Sequence, residues 1–193
     1  MDKKWLPLTV VLGAAGAAVV TASVWPEAEK PPPPQILCHG ALTRQTAELI
    51  DDGEGGEAGA EEWESKGQSS DYAVFKACSV WRVGPDDGST RGMFGLIIQD
   101  ERHDSGSRKN SVPLGAGFKG WVRPDEAEAT LPPGCAARMG STAPYVTVTL
   151  TRSWNKAEKE AMNPAERDTA RRDNATVVRE AATRLAERYG CAG

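Results

Sequence analysis

From Trp5 to Trp25 the chain runs for 21 residues without a charge, directly after Lys3 and Lys4. As a helix rising about 1.5 Å per residue, this stretch is roughly 30 Å long, which matches the hydrocarbon core of a bilayer. A tryptophan at each end suits the two headgroup interfaces, and the paired lysines hold the amino terminus in the cytoplasm. The segment predicts a single transmembrane helix in the cell membrane, with the lipid bilayer as its partner through residues 5–25. A cleaved signal peptide is the alternative, since Val20 and Ala22 satisfy the small-residue rule at a cleavage site, but its apolar region is ordinarily only about 7 to 15 residues long. Both readings place residues 26–193 outside the cytoplasm. The first cysteine, Cys38, lies well past the apolar segment, which argues against a lipoprotein.

The chain therefore divides into a cytoplasmic stub (1–4), an anchor (5–25), a stalk (26–35) and an extracytoplasmic domain (36–193). The run Pro31 to Pro34 gives the stalk its stiff, extended character. The domain beyond it, roughly 155 residues, is long enough to bury a core of its own. Its four cysteines, Cys38, Cys78, Cys135 and Cys191, are an even number in an oxidising compartment and predict two disulfides.

The expected fold is α+β, an antiparallel sheet with a short N-terminal and a long C-terminal helix. Thr43 is a helix N-cap ahead of Leu49 and Ile50. Residues 72–83, rich in β-branched and aromatic side chains, and Met93 to Gln99 read as a hairpin around the turn "GPDDGSTRG". In "YVTVTLTR", Val146, Val148 and Leu150 alternate with Tyr145, Thr147, Thr149 and Thr151, the period of a half-buried strand. Asn163, Pro164 and Glu166 open the last helix, and Gly190 closes it. Its core stripe is Ala170, Val177, Val178, Ala181, Ala182, Leu185 and Tyr189. Asp168 with Arg172, and Glu180 with Arg184, are expected to pair on its solvated side.

These lengths bear on the cysteine pairing. The strand 145–152 runs roughly 26 Å, and the helix from Pro164 to Tyr189 returns roughly 39 Å, overshooting the strand's start. The overshoot carries Cys191 toward the loop holding Cys135. Cys78 alternates with Val74 and Val80, facing the core near Cys38. The expected pairs are thus Cys38–Cys78 and Cys135–Cys191.

Residues 51–71 hold eight acids against Lys66 among many glycines, which predicts a solvated loop. Calcium ligation is disfavoured there, because no D-x-D-x-D-G spacing occurs. The net charge of −4 and the lack of a basic stripe argue against nucleic acid as a partner. Gly115, Gly117 and Gly120 have the G-x-G-x-x-G spacing of a dinucleotide cradle, but Pro124 prevents a helix from coming next, and no acid lies about 20 residues on. The motif is expected to be a bend into a short strand at Trp121 and Val122.

His39 and His103 are the only histidines, too few for a zinc site. His103, Asp104 and Ser105 are sequence neighbours and cannot converge as a triad. Cys38 and His39 likewise diverge. Asn174 matches a glycosylation acceptor, but it falls inside the last helix. No catalytic, cofactor-binding or metal-ligating residue is nominated, and no cofactor.

The stretches "ILCHGALT", "FKACSVWRV", "LPPGC" and "LAERYGC", together with the Ala-, Gly- and Arg-rich composition, resemble uncharacterised actinomycete membrane-anchored envelope proteins. The resemblance covers the exported domain, rests on its cysteine contexts, and implies location and disulfides. The function expected is a non-enzymatic module that binds or scaffolds an envelope protein or cell-wall component. An extracytoplasmic hydrolase is the alternative. A sensor subunit fits less well, because so few residues lie on the cytoplasmic side.

Overall fold

The computed structural model describes residues 35–50, 57–65, 73–84 and 88–192. The stub, the anchor and all but the last residue of the stalk lie outside them. Among the described residues, no helix is long and apolar enough to cross a membrane.

The chain enters through a small hairpin, β1 (Ile36–Leu37) with β2 (Leu42–Thr43), leading into the single-turn helix α1 (Arg44–Ala47). Thr43 caps α1 by accepting from the Thr46 amide, as its position in the sequence leads one to expect. Seven further strands form one antiparallel sheet: β3 (Glu57–Glu64), β4 (Phe75–Val83), β5 (Thr90–Glu101), β6 (Val112–Gly115), β7 (Phe118–Val122), β8 (Glu126–Thr130) and β9 (Tyr145–Arg152). Their spatial order is β3-β4-β5-β9-β8-β7-β6. Two meanders are thus zipped together where β5 meets β9. The short helix α2 (Cys135–Arg138) links β8 to β9, and α3 (Lys156–Ala161) leads into the long α4 (Pro164–Arg188). The α+β class, the antiparallel sheet and the C-terminal helix agree with the sequence.

Alternation along β9 turns Val146, Val148 and Leu150 inward, each at most 1 % exposed. Val177, Val178, Ala181, Ala182 and Leu185 of α4 meet them, and the small alanines let the helix lie close to the sheet. The helix opens on the expected capping box: the Asn163 side chain accepts from the Glu166 amide, and the Glu166 side chain accepts from the Asn163 amide. The disulfides join Cys38 to Cys78 and Cys135 to Cys191, the two expected pairs, and all four cysteines lie in the core.

The acidic segment is a correction. Residues 57–64 form β3, an edge strand that pairs in register with β4 from Glu57↔Val83 to Glu64↔Lys76. Charge does not prevent this, because Glu61, Glu62 and Glu64 stay exposed while the backbone fills the open edge of β4. Trp63 remains 46 % exposed. The rest of 51–71 lies outside the described residues, apart from Ser65.

The pairing on α4 is a second correction. Glu180 accepts from the Thr43 amide (2.9 Å) and from the Thr46 hydroxyl. Arg184 Nε donates to the Gly40 carbonyl (3.2 Å), and Arg188 donates to that of His39. The turn between β1 and β2 has positive φ at Cys38, His39 and Gly40, and its backbone groups need partners that the helix supplies. Asp168 pairs with Arg171 (2.7 Å), and Arg172 donates to Thr169 instead (2.9 Å).

Candidate functional site

The two-residue alternation that buries Val146, Val148 and Leu150 continues to the last residue of β9, which is Arg152. This side chain is drawn beneath α4 and is only 6 % exposed. A guanidinium tolerates such a place only with hydrogen-bond partners. Its Nε donates to Asn174 Oδ1 (2.7 Å). Asn174, fully buried on α4, donates through Nδ2 to the carbonyls of Arg123 (3.0 Å) and Pro124 (2.8 Å), which form the turn between β7 and β8. Helix, strand and turn are locked through these two side chains.

The remainder of the guanidinium is poorly served. Among the described residues Nη2 has no hydrogen-bond partner, and its nearest anion, Asp173 Oδ2, stands 3.8 Å away. The Trp154 ring lies against the cation, with its centroid 4.5 Å from Cζ. Burial lowers the Arg152 pKa to about 10, with the Asp173 charge acting in the opposite direction. At neutral pH the group is a cation.

Arg152 and Asp173 border an open cleft of about 790 Å3 between the end of the sheet, α3 and the first turns of α4. A one-residue bulge in β5, where Val80 faces Phe94 but Trp81 faces Gly92, buries Met93 and Phe94 in succession and brings Met93 to the cleft. Trp154, Met162 and Ile50 add apolar surface. Two further carboxylates at the rim, Glu158 and Glu166, are tied to helix ends, accepting from the Asn155 (2.7 Å) and Asn163 (2.8 Å) amides. Helix α3 buries none of its residues and forms an outer wall.

Such an arrangement is suited to holding a ligand by charge and apolar contact. Among the described residues, no group of three or more His, Cys, Asp or Glu is placed to hold a metal ion. All four cysteines are in disulfides.

Apart from Asn174, the residues weighed from sequence lie elsewhere. His39 Nε2 sits 3.2 Å from the Trp63 carbonyl and 3.0 Å from that of Ala77, and its amide donates to Glu62 (2.8 Å), fastening the entry turn to β3 and β4. Ser105 turns inward to Thr130 (2.7 Å), while His103 and Asp104 are exposed. Gly115 and Gly117 make the β6–β7 turn, with positive φ at 115, 116 and 117. A Cβ on Gly120 would fall 2.1 Å from the Glu128 carbonyl oxygen, so this glycine permits close strand approach; it lies within β7, which begins at Phe118 rather than at the expected Trp121. Sequence reasoning missed Arg152 and Asp173, and weighed Asn174 only as a glycosylation acceptor. The signal was present, since carrying the β9 alternation one step past Leu150 places an arginine on the apolar face.

Comparisons with protein-family models, with curated proteins and with solved structures find no match to this chain.

Proposed function

We propose that this protein is a membrane-anchored, extracytoplasmic binding module, non-enzymatic, that takes its ligand or partner in the cleft beside Arg152. The apolar segment 5–25 ahead of a domain with two disulfides supports the anchored, exported placement. The observation that carries the binding reading is the buried guanidinium, which among the described residues has one hydrogen bond, an unpartnered Nη2 and a place in the lining of an open cleft. Folding alone gains little from burying a cation in this way, and an apolar residue of similar volume is often as stabilising or more so. A ligand group that completes its hydrogen bonds supplies the missing compensation.

The test is photocrosslinking in intact cells from a benzophenone amino acid at Thr169, which lines the cleft, compared with one at Thr183, exposed on the same helix outside it. An adduct specific to position 169 is expected. Identical patterns from both positions would remove the cleft as the binding surface.

A further inference from the structure

We infer that the cleft recognises a free α-amino acid with a large apolar side chain, its carboxylate on Arg152 and its ammonium on Asp173. The inference rests on the reading of the cleft as a binding site and adds the ligand's chemistry.

Arg152 Nη2 and Asp173 Oδ2 are 3.8 Å apart, close enough to attract each other but too far to hydrogen bond. Each has capacity to spare: among the described residues Nη2 has no acceptor, and the Arg152 contact is the only polar interaction of the Asp173 carboxylate. An α-amino acid carries its carboxylate and ammonium on one carbon. A cation and an anion held side by side, unbonded and both lining one cleft, are the complement of that arrangement.

Charge argues for a zwitterion over a simple anion or cation. Arg91 and Arg152 line the cleft with Glu158, Glu166 and Asp173. A bare anion would meet three carboxylates, and a bare cation would meet two guanidiniums. Glu158 and Glu166 are engaged with their helix caps, which leaves Asp173 as the carboxylate for the ammonium. Met93, Trp154, Met162 and Ile50 supply the apolar surface for the side chain.

The experiment is isothermal titration of the full-length chain with phenylalanine, N-acetylphenylalanine, phenylalanine amide and 3-phenylpropanoate. Phenylalanine is expected to bind saturably, and each of the other three at least tenfold more weakly, since each lacks one of the two charges. Asp173→Asn, a near-isosteric change, should weaken phenylalanine at least tenfold and strengthen 3-phenylpropanoate, whose carboxylate then meets one anion fewer. A merely structural role for Asp173 would shift both ligands alike. Arg152→Lys should abolish phenylalanine binding; if that variant does not fold, the Asp173→Asn reversal decides. Equal affinity for phenylalanine and N-acetylphenylalanine would overturn the zwitterion assignment while leaving a cleft that binds anions. Absence of phenylalanine binding overturns the assignment too. In that case a Thr169-specific crosslink still upholds the binding module, and loss of both results removes the two readings together.

Discussion

Asn174 shows how much one buried amide holds together. It accepts from Arg152 and donates to two carbonyls of the β7–β8 turn, with no exposure to solvent. Asn174→Ala strands all three partners and is expected to cost about 3 kcal/mol. In a domain of this size that lowers Tm by roughly 6 to 12 °C, measurable by scanning calorimetry. Glu128 makes the opposite case. Burial raises its pKa, against the opposing effect of hydrogen bonds from Ser105 and Thr149 and the Arg108 charge. A carboxylate raised in the folded state contributes stability below its unfolded value, near 4.5, and that contribution is lost as pH rises through the folded value. Glu128→Gln is therefore expected to be more stable than the parent at pH 7 and no more stable at pH 4, as tracked by thermal melts across that range. Neither residue could be assigned its role from sequence, because both roles depend on partners about 20 or more positions away.

At the scale of elements, legibility depended on how local the signal was. The capping box of α4, the Thr43 cap and the alternation in β9 are each encoded within a few neighbouring residues, and all three stand in the structure. Strand β3 was not legible, since "EAGAEEWE" has no apolar face and acquires its form from the exposed edge of β4. Its role can be tested directly. If 57–64 were a solvated loop, its deletion would change Tm little, whereas removal of a paired edge strand leaves eight β4 residues paired only with β5 and His39 without Trp63 and Glu62. Deletion of 57–64 is expected to lower Tm and to produce oligomers through the bare β4 edge, visible by light scattering after size exclusion. The cleft lay beyond local reading for the same reason: its lining comes from β5, β9, α3 and α4, plus Ile50 beyond α1.

Taken whole, the domain is closed by two covalent links of similar reach, spanning 40 and 56 residues. Restricting the unfolded chain over loops of that length contributes about 4 kcal/mol for each bridge. The paired variants Cys38→Ser with Cys78→Ser, and Cys135→Ser with Cys191→Ser, are each expected to lower Tm by roughly 8 to 16 °C in calorimetry. Losses of under about 2 °C would mean that the α4 contacts to the entry turn and to the sheet already restrain the same segments.

The two bridges succeed one another along the sequence without overlapping, and this fixes how the domain yields to tension. Drawn apart by its ends, the chain passes directly from Cys38 to Cys78 and from Cys135 to Cys191. The entry turn, β2, β3, β9 and α4 all fall within closed loops that force along the backbone cannot lengthen. Only the stretch between Cys78 and Cys135 can unspool, about 57 residues or roughly 200 Å fully extended. A domain hung from its amino-terminal end would thus be short on its tether even when unravelled, and the cleft residues Asp173 and Arg152 would stay inside one covalent ring.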